Sequence, residues 1–394
     1  MKCILIGMGC GPDHFTAEAS GALGEAQLVI GAGRLLKQLP DTGAERITEY
    51  RPREIAELLH AHPVDTACVV YSGDSGILFR CAGLLPLLEG MEVQVLPGIS
   101  SVQTLASELG ERWQDWNLCS AHGVSCDPVQ AVMQGKKRRF FLTSGGDTPG
   151  KLCTALTEAG LGELNVLVGE NLGSAQTHIW RGTAQDCARR SFAPLNVMLA
   201  EAAPRYVRRT PGIPDDEFLR ERVPMTKQEV RAAVLAKLGV MPTDVCWDIG
   251  AGTGSVSVEL AQWAKSVWAV ERKQDAAELI RKNRERFCAW NLHVVEGAAP
   301  DVLEELPKPD AVFVGGSGGK MEDILDAVFR KNPQARICVS AIALETIHRA
   351  VSGLDRLGYV PEVTQVSVSR TKTAGGLHLL MAQNPVFLIT GAQT

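Results

Sequence analysis

Residues 248–254 read Asp-Ile-Gly-Ala-Gly-Thr-Gly, and the next apolar run, "VWAVE", ends in a second acid, Glu271. A strand ending in an acid, then glycines at alternate positions, then a helix, lets backbone approach a ligand closely. A dinucleotide fingerprint has the spacing G-x-G-x-x-G, its third glycine letting the helix pack on the strand. Here the glycines are Gly250, Gly252 and Gly254, and Ser255 stands where that third glycine belongs. The spacing argues against a pyrophosphate and for S-adenosylmethionine, whose methionine portion and adenosine need only close backbone approach. Asp248 suits the ammonium side of that ligand, and Glu271 suits the ribose hydroxyls. Nicotinamide folds use an acid in the same way, so the glycine spacing, not Glu271, discriminates.

Other small-residue loops follow apolar runs. "GGSGG" (Gly315–Gly319) comes after the fourth strand of the second half, where its small size makes room beside a reacting atom. In the first half the loops are "GMGCGPD" (7–13), "YSGDSG" (71–76), "LPGISS" (96–101) and "TSGGDTP" (143–149). Ligands in open α/β sheets bind beyond the carboxyl ends of strands, so loops of this kind sharing one edge imply a cleft lined by backbone.

The elements that must hold these loops read as an α/β fold. At 394 residues the chain is long enough for more than one core. The stretch 201–224 holds four prolines and mixed charge. It sets an N-terminal domain over 1–203, a linker and lead-in over 204–224 and a C-terminal domain over 225–394. In the second half, apolar runs at 245–249, 267–270, 292–295, 311–314 and 336–340 alternate with helical patterns, the signature of a doubly wound parallel sheet. The last runs, "EVTQVSVSR" and "LHLLMAQNPVFLIT", lack a helix between them and predict an antiparallel pair closing one edge.

Composition narrows the function classes. No apolar run approaches the ~20 residues of a spanning helix, and "MKCILIGMGCGPDH" reads as a first strand running into a loop rather than a signal peptide. Eleven cysteines without a C-x-x-C pair suggest reduced, buried thiols in the cytoplasm, and no metal site is expected. Residues 1–205 carry the whole net charge of −5 and the remainder is neutral, so neither half has the basic excess of a nucleic-acid binder. "KKRR" (Lys136–Arg139) and "RYVRR" (Arg205–Arg209) are basic clusters able to meet an anionic small molecule, or a solvated turn and a linker.

The residues around the glycine loop carry a family resemblance. "PGIPDDEFLRERVPMTKQEVRAAVLAKL", then "DIGAGTGSVSVELA", "VWAVER", "VEGAAPDVL" and "DAVFVGGSGGKMEDIL", resemble the C-terminal half of the precorrin-6Y C(5,15)-methyltransferase (decarboxylating) family of cobalamin synthesis. "GMGCGPDHFTAEA", "YSGDSGILF", "PGISSVQTLA", "SAHG" and "VGENLG" resemble the tetrapyrrole methylases. The resemblance implies a two-lobed tetrapyrrole methylase fold fused to a Rossmann-like methyltransferase sheet, two S-adenosylmethionine sites, an anionic tetrapyrrole substrate and no membrane partner. A homo-oligomer, dimer or tetramer, is expected with it. Implied cofactor contacts are Thr226, Gly250, Ala251, Gly252, Thr253, Gly254, Glu271, Gly297 and Ala298 in the second half. In the first half they are Gly9, Gly11, Pro12, Gly73, Asp74, Ser100, Ser101 and Leu172. Two departures stand out: Gly73-Asp74-Ser75 where the family has G-D-P, and Cys10 before Gly11-Pro12 where it has G-x-G-P-G. "MTKQEV" also reads as a plain helix start, with Thr226 as cap and Glu229 at the capping-box position.

The implied chemistry is methyl transfer to carbons 5 and 15 of a late precorrin, with loss of carbon dioxide from the ring C acetate. The reduced macrocycle supplies its own nucleophilic carbon, so positioning is the main demand on the protein, and Gly315, Gly316, Ser317, Gly318 and Gly319 are expected to face it. Decarboxylation needs a carboxylate held in a poorly solvated place and help with a proton; the candidates are His378, Lys372, Arg370 and Glu345, with His122 in the first half. A cobalt-bearing substrate, an RNA- or protein-modifying methyltransferase, and a sensor that binds without turnover are the alternatives.

Overall fold

Among the described residues, short apolar runs alternating with helices build three sheets and one separate hairpin. The computed structural model describes residues 1–11, 14–76, 81–121, 126–143, 146–206 and 210–392. Pro12 and His122 lie outside them. The chain divides into two units, Met1–Ala203 and Pro204–Thr394. Among the described residues no helix is long and apolar enough to cross a membrane.

In the N-terminal unit, β1 (Lys2–Gly7), β2 (Leu28–Gly31), β3 (Glu45–Thr48), β4 (Thr66–Tyr71) and β5 (Glu92–Leu96) form a parallel sheet in the order β3-β2-β4-β1-β5. The interior strands β1 and β4 are buried from Cys3 to Gly7 and from Ala67 to Val70, as expected of parallel strands covered on both faces. The second lobe contains β6 (Trp116–Ala121), β7 (Arg138–Thr143), β8 (Asn165–Glu170), β9 (His178–Thr183) and β10 (Asn196–Ala200), ordered β6-β7-β10-β8-β9. Only β6 and β7 run parallel there. The "KKRR" cluster is a solvated turn only at Lys136 and Lys137, which are exposed. Arg138 and Arg139 lie on β7, where Arg139 is buried against the Ala131 and Lys137 carbonyls and Arg138 pairs with Glu111 and Glu201.

In the C-terminal unit the strands β11 (Val245–Ile249), β12 (Ser266–Glu271), β13 (Leu292–Glu296), β14 (Ala311–Val314) and β15 (Arg336–Ala341) are parallel. The order β13-β12-β11-β14-β15-β19-β16 reverses its winding between β11 and β14. That switch point opens a crevice at the strands' carboxyl ends. The expected antiparallel edge is present, but each of the two final runs splits. β16 (Val360–Val366) pairs with β19 (Val386–Ala392), which in turn pairs with β15. Between them β17 (Ser369–Ala374) and β18 (Leu377–Ala382) pair only with each other, turning at Gly375-Gly376 with positive φ at both residues.

The stretch anticipated as a linker and lead-in packs as a strap on this unit. Ile213 and Phe218 are buried in its core, and Phe218 packs on Phe287. The amides of Gly212 and Ile213 donate to Glu259 at 2.6 and 2.9 Å, and Asn283 exchanges hydrogen bonds with the Leu219 backbone. Arg231, wholly buried, ion-pairs with Glu259 and Asp215 and donates to the carbonyls of Ile213 and Thr226. A buried guanidinium is tolerated only when its donors are met, and here the strap supplies two of the four acceptors, Asp215 and the Ile213 carbonyl.

Candidate active sites

The glycine loop of the C-terminal unit turns through left-handed conformations at Gly250, Gly252 and Gly254, with φ of +71°, +57° and +73°. Gly250 has a second constraint: a Cβ there would lie 2.5 Å from the Gly316 carbonyl oxygen. The loop after β11 therefore touches the loop after β14 backbone to backbone, and only glycine permits it. Glu271 ends β12 and is buried. One of its oxygens accepts the Gly252 amide at 2.9 Å and the other the Lys273 amide at 3.0 Å. Each carboxylate oxygen keeps acceptor capacity for a ligand hydroxyl.

Above these loops lies a cavity of about 650 Å³. Thr226, Gly250, Ala251, Gly252, Glu271, Gly297, Ala298, Gly315, Gly316, Ser317 and Gly318 all line it, so one site collects loops spread over ninety-odd positions of sequence. Thr253, Gly254 and Gly319 are not among the lining residues. Thr253 is buried beneath the loop, and Gly254 packs against Ile280. Asp248 also faces away from the cavity. It is 1% exposed and accepts a hydrogen bond from Ser257 on the following helix, while burial pushes its carboxyl up to about 7. Buried beneath the loop and bonded to that helix, it is not on the cavity wall where the expected contact with a ligand's ammonium would be made.

The helix-start reading of "MTKQEV" is corrected. The helix runs Gln228–Leu238 and its cap position is Lys227, which makes no side-chain cap bond. The Gln228 amide instead donates to Asp215 at 2.9 Å, a cap supplied from the strap, and Glu229 pairs with Arg370. Thr226 is left free of cap duty on the cavity wall.

None of the proton-handling candidates in this unit reaches the cavity lining. Arg370 is held by Glu229 at 2.6 Å and Asp215 at 3.1 Å, clamping the hairpin to the strap. Lys372 and His378 lie on the exposed hairpin, and Glu345 is exposed in the first turn of the helix Leu344–Arg356. Their spacing in sequence suggested one cluster, whereas the hairpin carries its residues out of the sheet. Four cations that sequence reasoning passed over do line the cavity: Lys227, Arg272, Lys273 and Lys320. A signal existed for Arg272 and Lys273, since residues just past a strand's carboxyl end face the crevice.

The loops of the N-terminal site are fastened to one another through their backbones. The loops after β1 and β4 pair through Gly9 and Gly73, whose amides and carbonyls exchange hydrogen bonds of 3.0 and 2.9 Å. Behind them the loop after β5 fits so closely that a Cβ on Gly98 would lie 2.4 Å from the Gly73 oxygen and 2.5 Å from the Gly7 oxygen. Asp74 fastens the loops, accepting the amides of Gly76 at 2.8 Å and Gly98 at 3.1 Å. Ser75, where the family has proline, ties the same turn to β5 by donating to the Leu96 carbonyl at 3.1 Å. Ser100 caps the helix Ser101–Leu109 in a capping box with Gln103. These loops border a cavity of about 380 Å³ lined by Cys10, Gly11, Gly73, Asp74, Ser100, Ser101 and Leu172, with Gly9 just behind. Arg34, Asn171 and Asn196 line it too. Arg34 follows "GAG" (31–33) at the end of β2, one more glycine loop that the sequence offered.

Two family models divide the chain. "Tetrapyrrole (Corrin/Porphyrin) Methylases" matches residues 2–188, and "Precorrin methyltransferase domain" matches residues 217–392. A Sinorhizobium protein named precorrin-6Y C(5,15)-methyltransferase [decarboxylating] is 32% identical over 91% of this chain and 88% of its own length. A Sulfurisphaera tokodaii protein named probable cobalt-precorrin-6B C(15)-methyltransferase (decarboxylating) is 40% identical over 46% of this chain and 98% of its own. The crystal structure of a Geobacter metallireducens protein titled precorrin-6y C5,15-methyltransferase is 42% identical, covering 46% of this chain and 97% of that one, with a TM-score of 0.45.

Proposed function

The chain belongs to the precorrin-6Y C(5,15)-methyltransferase (decarboxylating) family, and on that premise we propose that its two units divide the work on one anionic tetrapyrrole. The N-terminal unit methylates carbon 5. The C-terminal unit methylates carbon 15 and removes carbon dioxide from the ring C acetate. The half-length relative named for carbon 15 and for decarboxylation supports placing those two reactions in one unit. The observation that carries the reading is the pair of cavities, one per unit, each bordered by glycine loops at the carboxyl ends of parallel strands.

The residues fit S-adenosylmethionine in both places, and when bound it supplies an electrophilic methyl group. In the C-terminal unit, the Gly250–Gly252 backbone admits the methionine portion, and Glu271 accepts the ribose hydroxyls on oxygens already oriented by two amides. Gly297-Ala298 borders the adenine side, and the Gly315–Gly318 loop leaves room for the macrocycle against the methyl donor. No protein base is required, because the substrate carbon is nucleophilic; the residues bind, align and exclude water. In the N-terminal unit, Gly73, Asp74, Ser100, Ser101 and Leu172 hold the cofactor, and Arg34 meets a substrate carboxylate.

Calorimetry on the intact chain tests the count: two binding events per chain are expected, and a single event in folded protein refutes it. Product mass spectrometry with precorrin and cobalt-precorrin substrates tests the reaction and shows which form is used. We place the enzyme in the cytoplasm, as its dispersed thiols suggest, and assign it a homo-oligomer built on the β17–β18 hairpin. There Leu377, Leu379, Leu380 and Met381 are all at least 44% exposed, more apolar surface than a free hairpin normally shows water. Light scattering should give a dimer or tetramer that Leu380→Asp dissociates; a wild-type monomer refutes it.

A further inference from the structure

The strand-borne side chains lining the C-terminal cavity separate by charge along the sheet. Arg272 and Lys273 stand at the end of β12, Lys320 follows the loop after β14, and Lys227 holds the cap position of the helix Gln228–Leu238. Glu271 is the sole carboxylate among the described lining residues. At the far end the wall changes character. Ile342 after β15, Val366 and Val368 at the end of β16 and Val386 opening β19 line it, with the neutral amides of Gln383 and Asn384. Among the described lining residues, none contributed by β15, β16, β19 or the segments joined to them is ionisable. The order β12-β11-β14-β15 sets Ile342 three strands from Arg272, about 14 Å at ~4.8 Å per strand.

Cofactor recognition does not explain this division. S-adenosylmethionine carries a net positive charge, so four surrounding cations do not complement it; they complement a polycarboxylate. Arg272 is placed to serve that purpose. Its guanidinium reaches from β12 across to the β14 loop, where Nη1 lies 3.5 Å from the position a Cβ on Gly318 would take. No ion pair engages it among the described residues.

We propose that the apolar wall formed by Ile342, Val366, Val368 and Val386 is the decarboxylation subsite, and that Arg272 and Lys320 hold the carboxylates that are retained. The inference rests on the function proposed above. In the reaction the bond between the acetate methylene and its carboxyl carbon breaks, and its electron pair enters the conjugated macrocycle. Carbon dioxide leaves, and a proton from water completes the methyl group on ring C. Negative charge thus leaves the carboxylate as the barrier is climbed. A cation bound to that carboxylate stabilises the reactant more than the transition state and slows the step. An apolar wall does the reverse: it withdraws water from the reactant carboxylate and asks nothing of the dispersed charge. Cations at the other end fix the macrocycle through carboxylates that do not react. This also accounts for the position of His378, Lys372, Arg370 and Glu345 away from the lining: an acid or cation beside the acetate would oppose the loss of carbon dioxide.

The test uses the full chain with substrate and S-adenosylmethionine, and mass spectrometry to measure the ratio of methylated product that keeps every carboxylate to product that has lost one. Ile342→Lys brings a cation to the wall at a position 71% exposed, where folding tolerates it. The ratio should rise about tenfold or more. Ile342→Met, equally apolar, should leave the ratio near the wild-type value. Arg272→Gln should raise the substrate KM of both reactions together without moving the ratio. A ratio unchanged or lowered by Ile342→Lys overturns the subsite. Wild-type chain that methylates without ever losing a carboxylate overturns the functional reading itself, and the subsite with it.

Discussion

The two cavities proposed to hold the cofactor are built from different materials. In the N-terminal unit, glycine loops press against one another, and the carboxylate present, Asp74, spends its oxygens on the amides of Gly76 and Gly98. In the C-terminal unit, the glycines face the cavity, and Glu271 both orients the loop through Gly252 and presents its oxygens at the wall. The first site is a shape whose loops are fastened backbone to backbone, and its acid, though on the cavity wall, has both oxygens engaged in that fastening. The second is a shape plus one polar side chain aimed at the ligand. Substitutions at matched positions should therefore fail in different ways.

The largest effects should come where backbone meets backbone. Gly98→Ala should abolish carbon-5 methylation, and Gly250→Ala carbon-15 methylation, each by more than ~100-fold, because loops that carry the ligand must move apart. Either variant retaining near-normal rates would show that the close approaches are not required. Next comes Glu271→Ala. Loss of a charged hydrogen-bond partner for two hydroxyls should weaken S-adenosylmethionine at the C-terminal site by roughly 10- to 100-fold, leaving the N-terminal binding event intact in calorimetry. Asp74→Ala should act more weakly and indirectly. Unfastening two amides should cost the N-terminal unit about 1–3 kcal/mol of stability, read as a lower Tm, with a severalfold rise in cofactor Kd. A Kd change as large as that of Glu271→Ala, without loss of stability, would erase the contrast between fastener and ligand.

The smallest effect on turnover is expected of Asp248→Asn, whose signature is a pH dependence. Burial raises the Asp248 pKa to about 7, against ~3.9 in an unfolded chain. Between those values the folded state holds a proton that the unfolded state releases. The stability of the C-terminal unit should thus fall as pH rises from about 4 to about 7, and the asparagine variant should lose that slope. Denaturant unfolding of both proteins across this range checks it; parallel curves would mean that Asp248 is ionised as folded.

How much of this was legible in the sequence depended on how local the cause was. The strands 245–249 and 311–314 fall where their apolar runs lie, because five or so buried residues between glycine loops have few other fates. The glycine loops and Glu271 were legible for the same reason, being set by short stretches. The strap was not. Its order depends on Glu259, Asn283 and Arg231, remote partners that turn an apparent linker into part of a core. Asp215 as a cap for a helix starting at Gln228 is equally invisible to a rule that seeks the cap next door. The misplaced catalytic candidates have a topological cause: Lys372 and His378 belong to a hairpin that leaves the sheet, and nothing in their alternation marks that departure. Arg272 and Arg34 escaped notice because a single cation has no pattern; only the strand end before it gives it a direction.

The division of labour is tested most directly by mixing two damaged proteins. Gly98→Ala and Gly250→Ala are each purified as full chains and given substrate and S-adenosylmethionine, alone and together, with products read by mass spectrometry. Neither variant alone should yield a doubly methylated, decarboxylated product, whatever the order of the two methylations. The mixture should yield it, because each variant supplies the unit the other has lost. A mixture of folded variants that does no better than either one alone would contradict the account.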